Sequence, residues 1–298
     1  MGAVQGITEL FPISSLGHAI IIPALVGGQW AKDLNVSAPG SPYLAFIVGL
    51  HVATALALLL FFWRDWVSIF RGFVSSIRFR RIQNPAERLA WLLILATIPV
   101  VIAGLLLEHI FTTTLGQPLP AAAFLAVNGL ILLIGERLRS RTVARAGDTE
   151  LAATASANAE FDADDTVDDE RISGMRFGRG VLVGSSQILA LAAGISRSGV
   201  AMVSGMATGL SHREAARFSF LLATPVILAA GVFKIPVLFG PIGHGIGGQV
   251  LAGSVAAFVA ALISVGFLDR YFRTRTLTPF AIYCLAVGIG SFIYLTIR

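Results

Sequence analysis

The chain has 298 residues, of which 55% are hydrophobic and 13% charged. Soluble domains carry roughly a quarter charged residues, so a bilayer rather than water is the natural solvent for this composition. The net charge of +5 does not mark a nucleic-acid binder, because most basic residues are Arg beside the ends of hydrophobic runs, where membrane topology accounts for them and no basic, aromatic recognition surface appears. The single Cys284 lies inside an apolar run, which excludes an intrachain disulfide and a Cys metal cluster and reads as packing.

The N-terminus has no basic region, apolar stretch of the right length or small-residue cleavage site, so no removable signal peptide is expected. Residues 1–28 are hydrophobic but broken by Gly, Ser and Pro. Gln5 and Glu9 stand four apart and share a helix face. An ionised carboxylate at membrane depth costs about 2.5–3.5 kcal/mol on insertion scales, so Glu9 needs a cation, a proton or a wet pocket. Pro12 ends the first half-helix; Ser14 and Ser15 can start the next, with cap geometry and free N–H groups that favour an anion. His18, three residues after Ser15, shares its face if that helix begins there. Two readings follow for this pair: a nucleophile with its base, or a Ser cap with a polar packing His.

Apolar windows near 43–63, 89–107 and 121–138 are each about 20 residues long, enough to cross a bilayer. The short loops carrying Arg64, Arg71, Arg78, Arg80, Arg81 and Arg88, then Arg137, Arg139, Arg141 and Arg145, are expected in the cytoplasm. Glu108–Pro120 has no Lys or Arg and belongs on the other side. The segment 139–177 is different material, with Asp162, Asp164, Asp165, Asp168, Asp169 and Glu170 among Ala, Thr and Ser; it reads as a disordered cytoplasmic linker between membrane halves 1–138 and 178–298. No EF-hand spacing accompanies its acids.

Residues 178–211 form a second broken segment, in which Arg197 is the only Lys or Arg between Gly180 and Ser211. Flanked by Ser196 and Ser198 and bounded by Gly194 and Gly199, that guanidinium suits a bidentate grip on phosphate. An ion pair with Glu9 is the other reading, and the two are compatible in an unliganded protein. Spans near 214–233, 247–268 and 277–297 follow, with Arg270, Arg273 and Arg275 in a cytoplasmic loop and only Lys234 against the bias.

A shift of 182 positions overlays Gly2, Gln5, Ile13, Ser14 and Gly17 on Gly184, Gln187, Ile195, Ser196 and Gly199. Each copy precedes three spans, an odd number, so the halves are expected to be inverted and each broken segment to be a re-entrant hairpin. Irregular backbone at membrane depth is tolerated where it is buried in protein or lines a wet cavity, and two facing hairpin tips make one. His51, Thr54, Thr97, Asn128 and Thr224 sit singly in spans, where interhelical hydrogen bonding is the usual role. His109, His212 and His244 lie near segment ends, and no His pair has zinc-site spacing. The fold class expected is an all-α integral membrane protein with about six transmembrane helices and two re-entrant hairpins.

At the hairpins the sequence resembles the undecaprenyl-diphosphatase family, also called bacitracin-resistance proteins. Gln5-Gly-Ile-Thr-Glu9 looks like the family's (Glu/Gln)xxxGlu motif, continued by Pro12-Ile-Ser14-Ser15-Leu-Gly17-His18; Gly194-Ile-Ser196-Arg197-Ser198-Gly199 looks like the core of its Pro-Gly-x-x-Arg-Ser-x-x-Thr motif. Ala96-Thr-Ile-Pro99 and Glu214 to Ala223 are similar to family segments outside the site.

The resemblance implies hydrolysis of undecaprenyl diphosphate to the monophosphate, recycling the cell-wall lipid carrier, in a bacterial plasma membrane with the active site on the periplasmic or external side. It implies Mg²⁺ or Ca²⁺ near Glu9, a polyprenyl diphosphate substrate, membrane lipid and a second copy of the chain as partners, and no nucleic acid. It assigns Glu9, Ser15, His18 and Arg197 to catalysis, with Gln5, Ser14, Gly194, Ser196, Ser198 and Gly199 around the substrate. Ala193 and Ala201 replace the motif's Pro and Thr, and the chain starts about ten residues later than is usual in the family. A secondary transporter or lipid flippase is the competing reading, since inverted repeats with broken helices are also transporter architecture. A two-His lipid phosphatase fails for want of a second suitably placed His.

Overall fold

In the computed structural model, residues 1–35, 42–113, 116–147, 171–239 and 245–297 are described. Their regular structure is helical throughout: α1 (Gly2–Leu10), α2 (Ser15–Val26), α3 (Gly28–Asp33), α4 (Pro42–Phe61), α5 (Trp63–Phe79), α6 (Pro85–Thr113), α7 (Pro118–Gly147), α8 (Phe177–Ser186), α9 (Arg197–Ala207), α10 (His212–Phe239), α11 (Gly247–Tyr271) and α12 (Thr278–Ile297). Among these residues five helices are by themselves long and apolar enough to cross a membrane, and α4 with α5 makes a sixth candidate as a bent pair. The chain is an all-α integral membrane protein.

The broken segments fold as half-helix, break, half-helix. In the first, α1 and α2 flank Phe11–Ser14; in the second, α8 runs into a short 3-10 turn, Gln187–Leu191, before α9 begins. Ser14 and Ser196 cap the second half-helix of their hairpins by the same bond, each Oγ accepting from the N–H three residues on, Gly17 at 3.2 Å and Gly199 at 3.1 Å. The hairpins are also exchanged between the halves, since α1 packs along α11 and α8 along α6. Repeat-related glycines permit this. A Cβ on Gly2 would lie 2.3 Å from the Gly253 carbonyl oxygen of α11, and one on Gly184 would lie 1.9 Å from that of Ala96 on α6. Both contacts leave no room for any side chain, and the small residues let helix backbones approach as they do in other membrane bundles.

Two stretches differ from expectation. The Arg-rich segment after the first span is not a plain loop: at Phe62 the chain turns by 84° into α5. Val67, Phe70, Val74 and Ile77 lie exposed along α5, which also carries Arg64, Arg71 and Arg78, the make-up of an amphipathic helix lying in a bilayer interface. The linker is shorter than its composition suggests. Helix α7 continues through Gly147, and on the far side Ile172 and Ser173 are buried while Arg171 pairs with Glu214 at 3.0 Å. The acidic run Asp162–Glu170 and His244 lie outside the described residues.

The start of α10 gathers buried charge. Ser211 and Glu214 form a reciprocal capping box, with the Ser211 N–H donating to Glu214 Oε2 at 2.7 Å and the Glu214 N–H to Ser211 Oγ at 3.1 Å. His212 meets Glu136 of α7 at 2.9 Å, and Arg217 meets Asp65 of α5 at 2.7 Å while lying over the Phe62 ring. Each charge has a partner on another element, which makes burial tolerable and ties α10 to its neighbours.

Candidate active site

Glu9 sits in the last turn of α1, buried, and its carboxylate is the meeting point of both hairpins. Gln5, one turn earlier on the same face, donates Nε2 to Oε2 at 3.0 Å. Ser15, the first residue of α2, donates its hydroxyl to the same oxygen at 2.5 Å, a length typical of charge-assisted O–H···O bonds. From the second hairpin Arg197 donates Nη2 to Oε1 at 2.6 Å and Nη1 to the Ala223 carbonyl at 3.0 Å. The acid, hydroxyl and guanidinium thus share one network.

The breaks are held together by backbone bonds. Ser14 Oγ, besides capping α2, accepts from the Gly194 N–H at 3.2 Å. Asn128 of α7 donates to the Pro12 carbonyl in the first break and accepts from the Ser196 N–H in the second, both at 2.9 Å. Ser196 and Ser198 hydroxyls lie 3.0 Å apart, and Ser198 reaches the Phe11 carbonyl at 3.2 Å. Gly194 has φ +108, and a Cβ there would lie 2.3 Å from the Ala121 carbonyl oxygen, so the turn needs glycine for its backbone and for its closeness to α7.

A cavity of about 370 Å³ opens over this network, lined by Glu9, Ser14, Ser15, Gln187, Ser196 and Arg197, with apolar walls from α4, α6 and α10. The lining combines a few polar groups, mostly from the hairpins, with apolar side chains from the spans, as an amphiphile with an anionic head requires.

A family model described as bacitracin resistance protein BacA matches residues 1–290. The chain belongs to this family. It is 62% identical over 298 residues to an undecaprenyl-diphosphatase of Mycolicibacterium paratuberculosis, covering 100% of this chain and 96% of that one. It is 50% identical over 322 residues to undecaprenyl-diphosphatase 2 of Frankia alni, covering 97% and 94%, and 38% identical over 296 residues to the undecaprenyl-diphosphatase of Granulibacter bethesdensis, covering 98% and 94%.

Within this BacA-family site, most residues singled out from the sequence come together, and one does not. His18 is turned away from Ser15. Its Nδ1–H donates to the Ser14 carbonyl at 2.7 Å, its Nε2 accepts from the Tyr283 hydroxyl of α12 at 2.8 Å, and the two rings stack. It is absent from the cavity lining. Of the two readings open for Ser15 and His18, the contacts formed are those of a packing histidine, because both ring nitrogens are engaged away from Ser15. The Arg197–Glu9 ion pair read from the sequence is formed.

Two cavity residues were not recognised as site residues in the sequence. His51, in the middle of α4, lines the cavity with Nε2 3.3 Å from Glu9 Oε2, and its Nδ1–H donates to the Ile47 carbonyl at 2.9 Å. An ionisable group deep within a span is by default a functional candidate, and that signal was present. Gln187, the repeat mate of Gln5, also lines the cavity. Ala193 and Ala201 do not: both are buried in the main apolar core, so the motif's altered positions pack against protein rather than face the site. Asn128 does form hydrogen bonds between elements, but to the hairpin breaks.

Among the described residues no group of three His, Cys, Asp or Glu gathers as a metal cage. Glu9 supplies one hard carboxylate to the cavity, and Ser14, Ser15 and Ser196 supply neutral oxygens. That donor set fits Mg²⁺ or Ca²⁺, which accept one or two carboxylates completed by phosphate and water, and does not fit a soft metal.

Proposed function

We propose that this chain hydrolyses undecaprenyl diphosphate to undecaprenyl phosphate and inorganic phosphate, recycling the lipid carrier of cell-wall synthesis and so conferring bacitracin resistance. The observation that carries the reading is the 2.5 Å bond from the Ser15 hydroxyl to Glu9 Oε2, with Glu9 held from its other oxygen by Arg197. A serine donating to a fixed buried carboxylate is a nucleophile with its base in place.

In the first step the Ser15 proton passes to Glu9 Oε2 while Ser15 Oγ attacks the terminal phosphorus. The Oγ–P bond forms, the bridging P–O bond breaks, and the prenyl monophosphate leaves. As Glu9 becomes neutral, Arg197 loses its anionic partner and turns its charge to the phosphoryl oxygens, where charge develops. The N–H groups at the start of α2 and α9 face the same anion. Water then cleaves the phosphoserine, and Oγ recovers the proton from Glu9. Glu9 would be the residue to hold a divalent cation, which would supply positive charge to the diphosphate.

The active site opens toward the external face in this reading. The Arg-rich stretches 64–88, 137–145 and 270–275 mark the cytoplasmic ends. The cavity lining instead includes Gly116, in the stretch without Lys or Arg, with Gly104 and Leu105 far along α6 from Arg88 and Gly231 far along α10 from Arg213 and Arg217. A lipid carrier whose diphosphate emerges on that face reaches the site without crossing the bilayer.

The test is release of phosphate from the lipid diphosphate by purified protein in detergent, where no gradient exists. Glu9→Gln and Arg197→Ala are expected to abolish it. Near-normal turnover in both variants, or activity demanding two compartments as a flippase does, would sink the assignment.

A further inference from the structure

An apolar groove of about 510 Å³ lies between α5, α6 and α10. Trp66, Ile69, Phe70 and Phe73 of α5 form one wall, residues of α6 between Ala90 and Ile102 form another, and Pro225 of α10 completes the lining. Apart from Thr97, whose hydroxyl donates to the Leu93 carbonyl at 2.7 Å, the lining side chains are aliphatic or aromatic. The walls are fastened to each other. Trp91 of α6 donates Nε1 to Ser76 Oγ of α5 at 2.9 Å, Ser75 Oγ donates to Glu87 Oε1 at 2.9 Å, and a Cβ on Gly72 would lie 2.8 Å from the Ala86 carbonyl carbon. The groove is thus built into the fold, as pre-formed ligand sites are.

It is continuous with the cavity over the hairpins. Val101 lines both, and Pro225 of the groove is followed in sequence by Val226 of the cavity. Leu93, Thr97, Val101 and Leu105 recur every four residues along one face of α6. Leu93 and Thr97 line the groove, Leu105 lines the cavity, and Val101 joins them. At 1.5 Å per residue this row is about 18 Å long.

We propose that the groove receives the stretch of prenyl tail that leaves the cavity, so that α5, α6 and α10 form a tail subsite beside the diphosphate site. A cavity of about 370 Å³ suits a drug-sized molecule, and a diphosphate on an eleven-unit prenyl chain is larger than that. The remainder must leave along apolar side chains, and the α6 row leads it past Val101 into the groove. Since the tail comes from lipid and not from water, the groove gains packing contacts rather than hydrophobic burial. Such contacts are individually small, so the subsite sets a several-fold preference for long chains and is not needed for the chemistry.

The inference rests on a prenyl diphosphate as the ligand of the cavity, and the experiment separates the two. The probe is an eleven-unit prenyl chain with a methylene-bridged diphosphonate head, which is not cleaved, and a photoreactive diazirine on a middle unit. Purified protein in phosphatidylglycerol nanodiscs is illuminated with it, and mass spectrometry should place the label on peptides covering residues 66–73 and 90–98, with excess undecaprenyl diphosphate displacing it. Ile94→Trp and Ile98→Trp then fill the groove at positions that do not line the cavity. In each, the ratio of kcat/KM for the eleven-unit over a three-unit prenyl diphosphate should fall on the order of tenfold, the loss of about ten atom pairs in contact. Turnover of the three-unit substrate by the same variant shows that it is folded. Label outside these peptides, or a ratio unmoved in both Trp variants, would overturn the tail subsite. So would equal labelling by a phosphatidylglycerol with a diazirine in its acyl chain that undecaprenyl diphosphate does not displace, which assigns the groove to bulk lipid. Displaceable groove labelling without phosphate release from any prenyl diphosphate would instead remove the phosphatase reading and leave the tail subsite standing.

Discussion

The two hairpins share a frame and differ in chemistry. In both, a serine caps the second half-helix by accepting from the N–H of a glycine three residues on, and a glycine in the first half-helix lies against the backbone of a span from the opposite half. On that common frame the first hairpin carries Glu9 and Ser15, and the second carries Arg197. The comparison teaches that the repeat supplies geometry while the residues that depart from it supply function. Position 15 is Ser in one copy and Arg197 in the other, the nucleophile facing the cation.

The largest expected effect comes from breaking the acid–serine pair. Glu9→Gln and Ser15→Ala should each lower kcat by at least about 100-fold, the lower bound for loss of a general base or its nucleophile. Steady-state phosphate release measures this, and a fall of less than tenfold in either would contradict the assigned roles.

The cross-hairpin ion pair comes next. Arg197→Ala leaves Glu9 buried without its guanidinium, a change that typically destabilises by about 3–5 kcal/mol. The double variant Arg197→Ala/Glu9→Gln removes the stranded charge, so its thermal midpoint in detergent should recover toward wild type while activity stays absent. A double variant no more stable than Arg197→Ala would show that packing, not charge, joins the hairpins there.

Smaller effects distinguish the two caps. Ser196→Ala loses an N-cap bond, worth about 1 kcal/mol, and a contact with the Ser198 hydroxyl, which keeps the Phe11 carbonyl as a partner. Ser14→Ala loses its cap and also the bond from the Gly194 N–H, so its drop in thermal midpoint should exceed that of Ser196→Ala. Equal drops would mean that Ser14 is only a cap.

The smallest catalytic effect is expected at His18. As a packing group between α2 and α12, His18→Gln should change kcat by less than about tenfold, against the roughly 10²–10⁴ attributed to a true general acid or base. His51→Ala should cost more activity than His18→Gln, because His51 rather than His18 faces Glu9 in the cavity. The reverse order in a side-by-side assay would restore His18 to the chemistry.

Much of this was legible in the sequence because membrane burial leaves few polar residues to explain. Glu9 and Arg197 stood out as charges at depth, and Gln5 followed from helical spacing. The six spans and the paired hairpins followed from apolar length, Arg bias and the 182-residue shift. What misled was local spacing read without direction. Ser15 and His18 are near in sequence, yet the ring of His18 turns to the Ser14 carbonyl and Tyr283. The Arg-rich segment after the first span hid a helix because charge suggested a loop, whereas its apolar residues recur at helical spacing. Its Val67, Phe70, Val74 and Ile77 are the residues that α5 leaves exposed.

The sequence by itself determined the solvent, the number of spans, the two breaks and the charged residues within them, because those depend on hydrophobicity and on the cost of burying charge. Only the tertiary structure decided which groups touch. That His51 from α4 reaches Glu9, that Asn128 clasps both breaks, and that Arg197 of the second hairpin meets Glu9 of the first are contacts between elements remote in the chain. Side-chain direction and helix packing set such contacts, and neither is written in the spacing of a single segment.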